Sequence, residues 1–177
     1  MNRLVGRRVS IVEPTAGVTR DRVSVVVRTD DYAFELVDTG GLGLVDEVML
    51  KQHVESQIEV AIETADLILF LVDGKEGRVP GDDMVANRLR PLQRKVLLVA
   101  NKMESYYDEI AVSQWEQIGF GEASVMSAKE GFGVHDLMER IGSALPEAIA
   151  AAKADQDDDV LRFAIVGKRN SGKSTML

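Results

Sequence analysis

Leu161-Arg162-Phe163-Ala164-Ile165-Val166-Gly167-Lys168-Arg169-Asn170-Ser171-Gly172-Lys173-Ser174 is an apolar run that passes straight into a glycine-rich turn. Leu161 to Val166 is apolar apart from Arg162 and reads as a strand. Gly167 to Ser174 fits G-x-x-x-x-G-K-S/T directly after it, which is the setting the motif requires. In such a loop the glycines let backbone N–H groups close around phosphates, Lys173 reaches the β and γ oxygens, and the Ser174 hydroxyl ligates Mg²⁺. Gly167, Asn170, Ser171, Gly172, Lys173, Ser174 and Thr175 are therefore candidate phosphate-binding residues. A ligand-free glycine-rich turn is the competing reading.

Working outward, strand-like runs alternate with longer helical patterns. Arg22 to Thr29 and Tyr32 to Asp38 are β-branched or alternating stretches joined by Asp30-Asp31, which predicts a hairpin. Asp66 to Asp73 and Lys95 to Asn101 are continuous apolar strands, and Glu122 to Ser127 is a shorter one. Helical periodicity covers Glu47 to Thr64, Pro80 to Leu92, Ser105 to Ile118 and Val134 to Ala152. Continuous apolar strands are buried on both faces, and helical crossovers between them give a mostly parallel sheet. The expected fold is thus α/β, a P-loop NTPase-type three-layer sandwich with one antiparallel hairpin at an edge.

The chain has 177 residues, 29 acidic against 21 basic side chains and a net charge of −8, with 45% hydrophobic residues. That is enough to bury a core without staples. The lack of cysteine excludes disulfide frameworks and thiolate metal sites. The longest apolar run, Leu67 to Val72, falls far short of the roughly 18 residues of a membrane span. No membrane partner is expected, and the localisation read from this is cytoplasmic. The acidic balance argues against DNA, because duplex-binding surfaces gain affinity from basic groups on phosphates.

Further motifs lie at strand ends. Asp38-Thr39-Gly40-Gly41 follows an apolar strand as D-x-x-G, in which Asp38 would hold Mg²⁺ and Gly41 would bring a backbone N–H to a γ-phosphate. Asn101-Lys102-Met103-Glu104 is close to N-K-x-D, whose acid accepts two hydrogen bonds from guanine. Glu104 offers two acceptor oxygens displaced by about 1.5 Å relative to aspartate, and bidentate recognition is sensitive to such offsets. Ser127-Ala128-Lys129 matches S-A-K, where the Ala128 N–H would meet the guanine oxygen. Thr19, in Pro14 to Arg22, would give Mg²⁺ a hydroxyl and the γ-phosphate a backbone N–H. Order and spacing together are those of a GTPase, with all elements converging on the carboxyl edge of one sheet.

With Asn2-Arg3-Leu4-Val5-Gly6-Arg7-Arg8, Gly17-Val18-Thr19-Arg20-Asp21-Arg22 and Val37-Asp38-Thr39-Gly40-Gly41, the sequence resembles the bacterial Der (EngA) GTPases over nearly its whole length. That family carries two GTPase domains in tandem and a KH-like domain and acts in large ribosomal subunit assembly. The resemblance implies that this chain starts just after the first phosphate loop and ends within the second. Residues 1–149 would be a GTPase domain lacking its own first strand and loop, 150–160 an acidic linker, and 161–177 the first strand and loop of a second GTPase domain. It also implies GTP and GDP as ligands, ribosomal RNA or the ribosome as partner, and a K⁺ ion held partly by Asn170. Glu104 departs from the family aspartate, and Leu42 stands where other GTPases carry glutamine, so no side chain is a convincing general base.

Joining the ends regenerates an uninterrupted phosphate loop and helix. Pro146 to Asp159 can span about 45 Å, enough to return to the sheet. The expectation is that Leu161 to Val166 fills the vacant first-strand slot and brings Lys173 near Asp38. On this reading Lys173, Thr19 and Gly41 are the catalytic candidates, and Asp38, Asn101, Lys102, Glu104, Ser127, Ala128 and Lys129 complete the nucleotide set. Ser174, Thr19 and Asp38 form the metal set. The alternatives are a catalytically inactive ribosome or domain docking module and an ATPase of the same fold. His53 and His135 lack paired ligands, Trp115 reads as core, and Asp155 with Asp157 to Asp159 reads as solvated linker.

Overall fold

Three apolar runs form the centre of the sheet, because each must bury both of its faces. The computed structural model describes residues 23–28, 33–39, 62–104, 109–145, 161–168 and 170–176. Among them, strands β1 (Val23–Arg28), β2 (Ala33–Asp38), β3 (Leu67–Asp73), β4 (Lys95–Asn101), β5 (Ser124–Val125) and β6 (Leu161–Gly167) make one sheet ordered β1-β2-β6-β3-β4-β5. Every pairing is parallel except that of β1 with β2 at one edge. Residues 29–32, which connect those two strands, lie outside the described set.

β6 lies between β2 and β3, with Phe34 opposite Leu161 on one side and Leu67 opposite Phe163 on the other. Side chains of successive strand residues point to opposite faces. Leu161, Phe163 and Ile165 accordingly join Leu67, Leu69 and Leu71 on one face, while Ala164 and Val166 join Ile68, Phe70 and Val72 on the other. Phe163 stacks on Phe34 with ring centroids 4.4 Å apart. The first face is covered by Leu137 and Ile141 of helix Val134–Ala144, and the second by Val85, Ala86 and Leu89 of helix Pro80–Leu89 and by Trp115 of helix Glu109–Glu116. The result is an α/β sandwich with a mostly parallel sheet.

Two helices stop earlier than their periodicity predicts, each beside a proline. Pro80–Leu89 ends before Pro91, and the helix from Val134 ends at Ala144, one residue before the Leu145-Pro146 pair. Ahead of Pro146, Leu145 is driven out of the helical region, to φ −127° and ψ 46°, whereas Arg90 keeps helical angles of φ −55° and ψ −42° and the ladder ends there because Pro91 has no N–H to donate. The strand expected over Glu122 to Ser127 shortens to Ser124–Val125, because the Met126 N–H still reaches the Ala100 carbonyl but Ser127 turns to bridge Phe132. The segments expected over Glu47 to Ala61 and Ala150 to Val160 lie outside the described residues. Trp115 is fully buried, and His135 is exposed beside Glu139.

Candidate functional site

In a parallel sheet the carboxyl ends of all strands share one edge, so each residue ending a strand arrives at the same crevice. Here that edge carries Asp38, Asp73, Asn101 and Gly167 as the last residues of β2, β3, β4 and β6.

Beyond Gly167 the chain turns through Asn170, at φ 67°, and Gly172, at φ 93°, into the short helix Lys173–Met176. Lys173 is buried and curls back over this turn. Its ammonium donates to the carbonyls of Gly167 at 3.0 Å and Lys168 at 2.6 Å. Burial pushes its pKa below the ordinary 10.5, and the negative charge of Asp38 partly restores it. Asp38 is itself buried. Next to it Thr39 donates its hydroxyl to the Ile165 carbonyl at 2.7 Å, fastening the D-x-x-G strand end to the strand that carries the loop. Asn170 and Thr175 are exposed and Ser171 is buried. Ser174 lies in the short helix, and its hydroxyl falls outside what is described, as do Thr19 and Gly41.

On the other side, Asn101 ties two loops together. Its Nδ2 donates to the Ser171 carbonyl at 2.9 Å, and its Oδ1 accepts the Ala128 N–H, also at 2.9 Å. Ser127 Oγ accepts the Glu130 N–H, which holds the S-A-K turn closed, while Lys129 stays exposed. Lys102 has φ 68° and pairs with Asp73 Oδ2 at 2.5 Å. Glu104 is exposed and accepts a hydrogen bond from Lys75 at 2.6 Å.

Asp73, Lys75, Glu76, Lys168 and Thr39 are site neighbours that sequence reasoning missed. Thr39 and Lys168 lie inside the D-x-x-G and glycine-rich motifs and Asp73 is an acid closing a continuous apolar run, whereas Lys75 and Glu76 carried no signal. Glu76 pairs with Lys168, which pins the turn after β3 to the turn after β6. Asp82 is buried beside them, and burial raises its carboxyl pKa although the Val79 N–H donates to it at 3.1 Å.

Burial pushes the Asp73 carboxyl up, but the Lys102 ammonium and the N–H groups of Glu76 and Lys75 more than reverse this and hold it below the ordinary 3.8. A depressed carboxylate stabilises the fold above its unfolded pKa and loses that contribution as pH falls through the folded value. Asp73→Asn is therefore expected to cost about 1–2 kcal/mol at pH 7, allowing for the half-exposed Lys102. In urea unfolding the gap should narrow as pH drops below 3.8.

Residues 1–102 match the family model described as 50S ribosome-binding GTPase. The match takes in more than half of the chain, which belongs to that GTPase family. It resembles GTPase Der of Ruminiclostridium cellulolyticum, with 40% identity over 177 residues, 99% of this chain and 40% of that protein. GTPase Der of Acetivibrio thermocellus is 42% identical over 178 residues, again 40% of its length, and that of Clostridium tetani is 37% identical over 176. The chain spans about 40% of the length of these curated relatives. Among the described residues no helix is long and apolar enough to cross a membrane.

Proposed function

We propose that this chain binds GTP and GDP at the carboxyl edge of the sheet and hydrolyses GTP to GDP and phosphate. The observation that carries the reading is Asn101, which joins the phosphate loop at Ser171 to the S-A-K turn at Ala128. One side chain thereby sets the distance between a phosphate-binding element and a base-binding element. Residues 161–177 supply the phosphate-side strand and loop, and residues 1–149 supply the rest, across the acidic segment 150–160.

Lys173 is held by two loop carbonyls, in a position to exchange them for phosphate oxygens, and phosphate charge would favour its protonated form. The loop N–H groups would cradle the same phosphates. Asn101, Lys102 and Glu104 read the base, with Ser127, Ala128 and Lys129 closing over it. The hard oxygen donor of buried Asp38, with Ser174 and Thr19, fits Mg²⁺, which would neutralise charge on the phosphates. Thr19 and Gly41 would sense the γ-phosphate, and Asn170 on the exposed rim suits K⁺. The family description, 50S ribosome-binding GTPase, supports the large ribosomal subunit as partner, and the role we infer with it is ribosome biogenesis in the cytoplasm, with neither DNA nor membrane.

Titration with fluorescent GDP tests the site. Saturable binding displaced by GTP and not by ATP is expected, and Lys173→Ala should weaken it by about 100-fold. Equal displacement by ATP would make the chain an ATPase of the same fold. No saturable binding would leave only a docking role.

A further inference from the structure

Residues 73–75 run beside residues 101–104 as a two-rung ladder. Asp73 pairs with Asn101 in the sheet, and the Gly74 N–H donates to the Asn101 carbonyl at 2.8 Å. Asp73 Oδ2 accepts from Lys102, while its Oδ1 accepts the N–H groups of Lys75 at 3.0 Å and Glu76 at 3.2 Å. The side chain of Met103 covers Gly74, where an added Cβ would lie 2.4 Å from its Cγ. The backbone of Lys75 is thus anchored, and its ammonium is delivered to one oxygen of Glu104 at 2.6 Å.

We propose that Lys75 sets base specificity by occupying Oε1 of Glu104, so that the site accepts 6-oxopurine nucleotides, guanine and hypoxanthine alike, with little discrimination. The inference rests on the guanine-site reading above. Guanine offers N1–H and an exocyclic amine, and a carboxylate with both oxygens free accepts from both. Hypoxanthine offers only N1–H. With Lys75 bonded to Oε1, one lone pair of that oxygen is taken and the carboxylate is drawn toward the ammonium, so Oε2 serves N1–H while the amine meets a weaker, less well aligned acceptor. The longer side chain of glutamate is what permits the bridge: an aspartate at position 104 ends about 1.5 Å short of Lys75. Lys75 is on this account a positioning residue, acting on the base through Glu104.

The test is competition of fluorescent GDP by GDP and by inosine diphosphate on the full 177-residue chain. The unaltered chain should prefer GDP by less than about fivefold, and Lys75→Ala and Glu104→Asp, which break the bridge from opposite ends, should each raise that preference about tenfold. Added salt should raise it in the unaltered chain and not in Lys75→Ala, since an exposed ion pair is screened. A preference already above about 100-fold, or one unchanged in both variants, overturns the proposal while leaving the guanine site standing. Absence of saturable GDP binding overturns the guanine site itself, and this proposal with it.

Discussion

A chain ended at Asp159 is expected to lose cooperative folding. The removed strand β6 is the neighbour of both β2 and β3, so its loss cuts the sheet in two and opens two hydrogen-bonding edges at the centre of the core. It also removes Leu161, Phe163, Ala164, Ile165 and Val166, all buried, from both faces of the sheet. Each large apolar side chain buried contributes about 1.5–3 kcal/mol, against a total domain stability of about 5–15 kcal/mol. Phe163→Ala alone should cost about 3–5 kcal/mol, since Phe34 loses its stacked partner and a cavity remains. Circular dichroism during urea unfolding checks both. A sharp transition in the shortened chain would show that the strand only decorates a sheet that is stable without it.

Gly172→Ala should damage the site severely. Alanine at φ 93° is strained, and its Cβ would lie 2.2 Å from Asn101 Nδ2, so the side chain joining the two loops must move. Backbone strain and overpacking together should cost about 2–4 kcal/mol. Under the proposed function, nucleotide affinity should fall by more than about 100-fold. The clash can be separated from a general loop effect by combining Gly172→Ala with Asn101→Ala. Asn101→Ala alone leaves the Ser171 carbonyl and Ala128 N–H unpaired, but it removes the atom that Gly172→Ala strikes. The two costs should therefore add to less than their sum by about 1 kcal/mol or more. Strict additivity in urea unfolding would place the damage elsewhere.

The elements were legible where burial is symmetric. Leu67 to Asp73 and Lys95 to Asn101 emerge with the bounds of their apolar runs or within one residue of them, because a strand covered on both faces needs no polar alternation. Helix ends were less legible. Periodicity ran past Leu89 and Ala144, whereas the chain obeyed the following prolines. Within the site, Asn101, Ser127, Ala128 and Lys173 are marked by local motifs, since a loop that wraps a ligand needs particular residues at fixed spacing. Lys75 and Glu76 carry no such mark, because their partners Glu104 and Lys168 lie 29 and 92 positions away.

By itself, then, the sequence determined the alternation of strands and helices, the phosphate-loop pattern at Gly167 to Ser174 and the family to which the chain belongs. The place of Leu161 to Val166 in the sheet was expected from the family resemblance, and β6 does lie between β2 and β3, but tertiary structure alone decided the side-chain contacts. Runs as alike as Leu67 to Val72 and Leu161 to Val166 hold no code for pairing order, which follows from how their side chains pack once all are present. Thr39 meets Ile165 across 126 positions, and Asn101 meets Ser171 across 70. Those contacts, which bring the strand ends to one edge, exist only when the sheet has closed around β6.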